Sequence, residues 1–587
     1  MKLETLRHSV AHLMAHAVQN LYPDVKFGIG PNIDDGFYYD FDFKNPLSDK
    51  DIKNIQKEMK KILNKDLPFQ KKVITQAAAK KLFKDQPYKL ELIENLDKIS
   101  IYQLGNFTDL CKGPHLSSTK QIPVEGLKLM KLAGAYWRGD EKNKMLTRIY
   151  GTAWENKKQL QDYLKKLEEA EKRDHRRINK KLNLYHIDEN VGLGLPLWHP
   201  KGALIWRLIE DFWHKAHLEN GYDLVRSPHI ANKKLWEQSG HWNFYNDSMY
   251  QPMEAGQSLE EMQQGKKVKE QEQYLLKPMN CPFHVMIYKH EPKSYRDLPV
   301  RTAECGTVYR YEQKGELSGL TRVRGFTQDD AHIFCTEKQV ENELKKVINF
   351  ILYIFSSFGF KKSDIEVSLS LRDSKNKEKY IGSDKGWNFT QKILEKVAKD
   401  KKLAFNKEIG EAAFYGPKLD FKLKDSLGRK WQCSTLQFDF NLSERFDLEY
   451  VDSNGKKQKP YLLHRALFGS FERFIGLLIE HYAGAFPLWL SPTQIQIIPI
   501  SDKHNKYAKE IAMKLKDFRV EIKDQNDSLS KKIRNAETQK TPYIIVLGDK
   551  EVKSKRINVR TRGKNETQDL SITKLIEQLN TQIEKKK

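Results

Sequence analysis

Residues 322–332 read Arg-Val-Arg-Gly-Phe-Thr-Gln-Asp-Asp-Ala-His. In an extended strand alternate side chains share a face, which lines up Arg322, Arg324, Phe326, Gln328, Asp330 and His332. Such a file suits a nucleotide lying beside a small polar substrate, with guanidiniums for phosphates and a ring for a base to stack on. An exposed strand face of chance composition is the competing reading. Just upstream, residues 308–312 also alternate, with Arg310 and Glu312 on one face, and residues 313–321, containing Gly315 and Gly319, read as a long hairpin loop. The hairpin brings Arg310, Glu312, Arg322 and Phe326 together, so that an arginine faces an α-phosphate and a glutamate accepts from an adenine amino group. Arg473 is a third candidate cation, in a mostly apolar run, 466–481, read as helical. A structural ion pair with Glu472 or a neighbour is its plain alternative.

A second group of reactive side chains lies near the start of the chain. His8 and His12 stand four residues apart on a predicted helix, and His16 continues the row. Cys111-Lys-Gly-Pro-His115 adds a thiol and an imidazole across a Gly-Pro turn. Two His with a later Cys and His are ligand types suited to zinc, although each alone is more often a packed core residue.

The elements that must position these residues divide the chain into blocks. Residues 1–153 open helically, continue into a strand-like stretch at 36–43 and end in a Gly-punctuated stretch at 127–150. Residues 154–184 are highly charged, with Leu160, Tyr163, Leu164 and Leu167 as a stripe, the pattern of a linker helix. Apolar and aromatic content rises again over 185–490. Residues 491–587 alternate predicted strands (494–500, 519–522, 543–547, 557–559) with helices (503–516, 529–538, 572–583), which reads as a small α/β domain. This last block holds 22 Lys and Arg against 13 Asp and Glu, a net +9.

Composition narrows the class. At 587 residues the chain is long enough for several domains, and its net charge of +24 suits a polyanionic partner. Five widely spaced cysteines argue against a disulfide framework. No apolar run is long enough to span a bilayer and no signal-peptide core is present, so the expected location is cytoplasmic, with no membrane partner. Neither a P-loop nor a Gly-x-Gly-x-x-Gly fingerprint occurs, so the nucleotide site is built another way.

Taken in order, these motifs resemble those of class II aminoacyl-tRNA synthetases. Residues 309–312 followed by 320–326 are similar to motif 2, His464-Arg-Ala-Leu-Phe-Gly-Ser-Phe-Glu-Arg473 to motif 3, and Pro228 in Val225-Arg-Ser-Pro-His to the proline of motif 1. With Lys277-Pro-Met-Asn-Cys-Pro and Gln328-Asp-Asp-Ala-His-Ile-Phe, the chain resembles the threonyl branch over essentially its whole length. The resemblance implies a multidomain α+β fold: an antiparallel-sheet class II catalytic domain (185–490), an N-terminal α+β editing domain (1–153) and a C-terminal α/β anticodon-binding domain (491–587), joined by the helical linker. It implies a ligase that forms threonyl-adenylate from ATP and threonine and transfers threonine to tRNA(Thr), with Mg2+ on the ATP phosphates, as a homodimer joined through motif 1.

By position, the resemblance assigns a zinc ion to Cys281, His332 and His464, leaving the open fourth position of a working zinc. It assigns ATP to Arg310, Glu312, Arg322, Phe326, Gln432 and Arg473, with Arg310, Glu312 and Arg473 closest to the chemistry. Threonine falls to Met279, Gln328, Asp330, Tyr415, Lys418 and Gln437. Valine, lacking the hydroxyl, leaves such a site unmatched, whereas serine lacks only a methyl, worth roughly 1–3 kcal/mol, and leaks through. A second, hydrolytic pocket follows, formed by His8, His12, Cys111 and His115 with Lys89 and Asp109, working through water without a required metal. Asn526, Arg534, Glu551 and Arg560 match anticodon positions, where edge hydrogen bonds and stacking read single-stranded bases.

The chain departs from the family in four places. By this resemblance it is expected to start directly at the editing module, without the small ubiquitin-like domain of many bacterial relatives. Tyr311 stands where Asn is frequent and is expected to face away from the nucleotide. Phe283 replaces a frequent glycine and is expected to add bulk near the zinc. Residues 254–272 form a long polar segment, read as an exposed hairpin tip. A related ligase for proline or serine, or an RNA-binding regulator with a retired site, would lack the zinc residues, the N-terminal tetrad or the phosphate arginines.

Overall fold

The computed structural model describes residues 2–586 except 95, 97, 141, 257–259, 261–262, 265–271, 426–427 and 565. The backbone forms two compact units that part between Glu168 and Glu169.

In the N-terminal unit, the helix Leu3–Leu21 buries Leu6, Val10, Leu13, Met14 and Ala17, the spacing of a face turned toward a core. This helix packs on the strand Gly36–Asp42 and the helix Asp49–Leu63. Gly36–Asp42 pairs antiparallel with Lys26–Phe27 and with Met145–Ala153, which pairs in turn with Leu127–Tyr136. A separate antiparallel meander of Phe69–Ile74, Ile99–Leu104 and Phe107–Leu110 leads directly into residues 111–115.

The charged segment read as one linker helix is two, Lys157–Arg173 and His175–Leu182. The break falls at Asp174, whose carboxylate accepts the backbone N–H of Arg176 at 2.8 Å and so caps the second helix.

The second unit is organised around an eight-stranded sheet, in the order Asp223–Leu224, Val300–Tyr309, Gly325–Cys335, Tyr461–Ser470, Lys430–Asp439, Lys418–Lys424, Ile365–Leu371, Phe405–Ile409. The six inner strands are antiparallel, and each edge strand joins in parallel. The helix Glu337–Ser357 lays Val340, Leu344, Val347, Ile348, Ile351 and Phe355 into a core on one sheet face. Odd residues of Gly325–Cys335 turn into that core, and Phe326, Gln328, Asp330 and His332 lie on the opposite face.

Two sequence-based boundaries shift. The strand begins at Gly325, so Arg322 and Arg324 lie in the hairpin that precedes it. Residues 466–470 are the end of a strand rather than helix, and the helix is Phe471–His481, with the Ser470 hydroxyl capping the N–H of Arg473 at 3.2 Å.

An irregularity interrupts the sheet beside the file. Asp330 faces Ala466 and Gln328 faces Ser470, so Leu467, Phe468 and Gly469 all bulge opposite Asp329. The Asp329 carboxylate accepts their three backbone N–H groups at 2.7, 3.1 and 3.0 Å. Gly469 has φ +86°, and a Cβ there would stand 2.6 Å from the Cys433 carbonyl oxygen, so the corner requires glycine.

Beyond the sheet, Met253–Ala255 pairs antiparallel with Glu272–Leu276, the base of the hairpin read in 254–272. The tip falls largely outside the described residues. The C-terminal part holds a sheet in the order Val520–Ile522, Ile495–Pro499, Tyr543–Leu547, Ile557–Thr561, Thr567–Leu570, the first three strands parallel and the last two antiparallel to their neighbours. The strand Thr567–Leu570 and the short helix Asp549–Ser554 are additions to the sequence reading. No helix among the described residues is long and apolar enough to cross a membrane.

Candidate functional site

One cavity of about 540 Å³ opens over the pocket face of the large sheet. Arg310, Glu312, Arg322, Phe326, Gln432 and Arg473 line it together with Met279, Gln328, Asp330, Tyr415, Lys418 and Gln437. Cys281 and His464 form part of the same wall, and His332 lies directly behind, 3.0 Å from His464.

At one end the side chains are cationic. Arg310 follows the last residue of its strand and holds the ladder for one more bond, its N–H to the Arg324 carbonyl at 2.8 Å. Its guanidinium lies 5.1 Å from the centre of the Phe326 ring, within cation–π range. Arg322 pairs with Glu312 at 2.8 Å and Glu316 at 3.0 Å. Arg473 donates to the carbonyls of Thr321 at 2.9 Å and Gln432 at 2.8 Å. Burial first, and the charges of Arg310 and Arg322 after it, push the Arg473 pKa below its ordinary value, against the opposing charge of Glu312. The plain alternative for Arg473 does not hold. Glu472 turns into the core instead, accepting the N–H of Thr327 at 3.1 Å, and burial pushes its pKa up to about 8.

Arg324 departs from the file. Its Nε donates to the Glu312 carbonyl at 2.9 Å and its guanidinium covers Tyr311 at 4.7 Å, bracing the hairpin from behind. Tyr311 lies outside the cavity lining, on the side that alternation assigns it.

At the other end, Asp330 accepts from Asn280 Nδ2 at 3.1 Å, and burial raises its carboxyl pKa. Tyr415 donates to Gln437 at 2.8 Å, Lys418 pairs with Asp420 at 2.5 Å, and Gln432 donates to Asp420 at 2.7 Å. The ligand atoms of Cys281, His332 and His464 all lie within 4.8 Å of one another, and all three residues are buried. His332 Nε2 and His464 Nδ1 face each other at 3.0 Å, while their other ring nitrogens meet His284 at 2.9 Å and Asp439 at 3.1 Å. With the Asp439 carboxylate holding the His464 proton on Nε2, its Nδ1 lone pair points at His332. Two imidazole nitrogens and a thiol converging in this way fit a divalent cation. Phe283 does not crowd this position as expected. It packs with Ala231, Trp236 and Leu275, away from the donors.

Several residues of the site escaped the sequence reading. Asn280 stands inside the 277–282 motif, where a buried amide signals a polar partner. Tyr245 and Thr435 join the lining from other elements. Asp329 holds the floor, and its burial, offset by Arg465 and the three N–H groups, leaves its pKa at about 7. Only its place next to Asp330 hinted at it.

The N-terminal unit holds the second constellation. His8, His12, Cys111 and His115 place one ligand atom each within 4.8 Å of the others. Cys111 Sγ lies 3.4 Å from His8 Nε2 and 3.3 Å from His115 Nε2. Asp109 sits behind His12 at 3.6 Å and pairs with buried Lys89 at 2.5 Å. Burial pushes all three imidazole pKa values down, and pushes the Cys111 thiol up to about 11. His16 is not part of the cluster and bonds Asn106 at 2.5 Å. Tyr39 and Ser9 are additions: Tyr39 donates to Asp109 at 2.6 Å, and the Ser9 hydroxyl lies 3.2 Å from His115 Nδ1. Tyr39 had a signal, being a hydroxyl on the buried side of an alternating strand.

The four C-terminal candidates spread over a surface rather than converging. Asn526 and Glu551 follow the C-terminal ends of parallel strands, and Glu551 turns back to accept the N–H of Gly548 at 2.9 Å. Arg534 is exposed on the helix Leu529–Thr538, and Arg560 reaches Glu537 of that helix at 3.8 Å.

Comparison with known proteins gives this arrangement its class. Residues 265–482 match the model of the tRNA synthetase class II core domain (G, H, P, S and T), residues 494–582 the anticodon binding domain, and residues 99–150 the threonyl and alanyl tRNA synthetase second additional domain. The threonine–tRNA ligase of Borrelia hermsii is 48% identical over 99% of this chain and 97% of its own length. The chloroplastic/mitochondrial threonine–tRNA ligase 2 of Arabidopsis thaliana is also 48% identical, over 99% of this chain and 87% of its own. Among solved structures, the RNA binding domain of threonyl-tRNA synthetase from Cryptosporidium parvum matches with TM-score 0.63 at 34% identity, covering 70% of this chain and 98% of that one. The chain belongs to the threonine–tRNA ligase family of class II aminoacyl-tRNA synthetases.

Proposed function

We propose that this protein activates threonine with ATP and esterifies it to tRNA(Thr), and hydrolyses mischarged Ser-tRNA(Thr) in its N-terminal unit. The observation that carries the reading is the polarity of the cavity over the large sheet: cations and an aromatic ring at one end, a buried carboxylate and a Cys/His2 set at the other. In the first step a carboxylate oxygen of threonine attacks the α-phosphorus, and the bond to the β-phosphate breaks, releasing pyrophosphate. Arg310 and Arg473 sit where the negative charge of that step accumulates. Phe326 offers its face to adenine, Glu312 accepts from the adenine amino group, and Arg322 and Gln432 hold the rest of the nucleotide. Mg2+ accompanies the phosphates.

At the other end Asp330 accepts from the amino group of threonine, with Met279, Gln328, Tyr415, Lys418 and Gln437 around the amino acid. Cys281, His332 and His464 would hold zinc, which when bound supplies a Lewis-acid position matching the amino group and hydroxyl of threonine. In the second step the terminal adenosine of the tRNA attacks the activated carbonyl and AMP leaves.

In the editing pocket the imidazoles of His8, His12 and His115, kept neutral by burial, serve to accept a proton from water attacking the seryl ester. Lys89 and Asp109 hold His12 in place, and no metal is required. Asn526, Arg534, Glu551 and Arg560 would meet the anticodon, and a cytoplasmic homodimer joined through residues 225–229 completes the reading. Threonine-dependent exchange of labelled pyrophosphate into ATP tests it. Exchange with threonine and not with proline is expected, and its absence with threonine sinks the assignment.

A further inference from the structure

Behind the three metal-donor side chains, a file of buried polar groups runs away from the cavity, and none of its members lines it. His332 turns Nδ1 toward Nδ1 of His284 at 2.9 Å. His284, on the helix Cys281–Lys289, turns Nε2 toward Oε1 of Glu304 at 3.0 Å. The same carboxylate accepts the hydroxyl of Ser227 at 2.6 Å and its backbone N–H at 3.0 Å, and Lys277 donates to the Ser227 hydroxyl at 2.7 Å. His284, Lys277 and Glu304 are 0%, 1% and 4% exposed, and the Ser227, Lys277 and Glu304 end of the file borders a separate cavity of about 470 Å³.

The directions of these bonds fix one set of tautomers. Glu304 accepts from a serine hydroxyl and a backbone amide, as a carboxylate does. A carboxylate cannot donate, so His284 carries a proton on Nε2, and as a neutral imidazole it presents a bare Nδ1. His332 must then carry its proton on Nδ1, which leaves its Nε2 lone pair free on the side where Cys281 and His464 converge. The Thr302 hydroxyl, 3.1 Å from His284 Nδ1, holds the middle ring in the same orientation. Carboxylate–histidine–metal arrangements use one imidazole in this way; here a second imidazole is inserted, and the anchor lies two residues removed from the metal ligand.

We propose that His284 and Glu304, anchored by Ser227, are positioning residues that set the tautomer of His332 and so the zinc affinity of the site. This rests on the reading of Cys281, His332 and His464 as zinc ligands. Oε1 takes both His284 Nε2 and the Ser227 hydroxyl, and Oε2 takes the Ser227 backbone N–H. A glutamine at 304 keeps the volume but sets an amide donor against one side or the other, so it cannot satisfy all three donors together.

The test is the zinc dissociation constant of the full-length protein, measured by competition with a chromophoric chelator, together with the urea midpoint of the metal-free form. Glu304→Gln is expected to weaken zinc by roughly 10–100-fold, and Ser227→Ala to weaken it severalfold. Zinc affinity within twofold of wild type in folded Glu304→Gln overturns the proposal, and so does a lowered urea midpoint with unchanged affinity. If Glu304→Gln does not fold, Ser227→Ala decides by the same criterion. A wild-type protein that takes up no zinc, or one whose zinc persists in Cys281→Ser, overturns the underlying ligand assignment instead.

Discussion

The carboxylate of Asp329 accepts the backbone N–H of Gly469 at 3.0 Å, and with it those of Leu467 and Phe468. Three amides that lost their ladder partners at the bulge are thereby satisfied by one side chain. Asp329→Asn keeps the shape but puts an amide donor against one of those N–H groups. It is expected to cost about 2–4 kcal/mol in urea unfolding, the range for leaving one or two buried donors unpaired, and to raise the KM for ATP. An unchanged unfolding midpoint would show that the bulge holds without its carboxylate.

Arg473 bridges two carbonyls at the cavity edge and points its remaining donors inward. Arg473→Ala is expected to lower kcat for threonine-dependent pyrophosphate exchange by about 10²–10³-fold, the usual cost of removing a preorganised donor to developing charge. A rise in KM alone would assign it to ground-state ATP binding.

Cys281→Ser removes the soft donor of the buried trio. Stoichiometric zinc should be lost by elemental analysis. The preference for threonine over valine should fall by about 10²-fold or more, because the site no longer leaves polar groups unmatched when the hydroxyl is missing. Retained discrimination would place hydroxyl recognition elsewhere in the cavity.

The N-terminal cluster is separable from synthesis. His8→Ala and Cys111→Ala proteins should accumulate Ser-tRNA(Thr) while threonine-dependent exchange stays at the wild-type rate. If the wild type accumulates as much Ser-tRNA, the pocket is idle.

The same cluster predicts a pH dependence. Burial lowers the folded-state pKa of His12 and His115, and of His8 to a lesser degree of burial, below the ordinary value of 6.5. The unfolded chain therefore takes up protons that the folded one refuses. Stability of this unit is complete above pH 6.5 and is lost as pH falls below it, by up to roughly 1.4 kcal/mol per histidine per pH unit. Amide exchange of the helix Leu3–Leu21 at pH 7.5 and 5.5 reads this directly. Equal protection at both values would mean the imidazoles are hydrated in solution.

The file from Phe326 to His332 was legible because strand alternation is local, and it needs nothing beyond the residues themselves. The same holds for the C-terminal strands and for His8 and His12 on one helix face. The start of the strand at Gly325 was not legible, because Arg322 belongs to a loop whose conformation is set by Glu312 and Glu316. Asp329 was hidden by the same alternation that revealed its neighbours: an odd position reads as core-facing, and the bulge that makes it polar arises from a strand more than 130 residues away. Ser9, His284 and Glu304 act through partners distant in the chain, so neither spacing nor composition marks them.

Arg310 resting over Phe326 has a consequence for how ligands arrive. The guanidinium lies 5.1 Å from the centre of that ring, so on the ATP reading proposed above base and cation share one aromatic surface, and a ligand carrying both a base and a phosphate is expected to bind more tightly than adenosine or pyrophosphate alone.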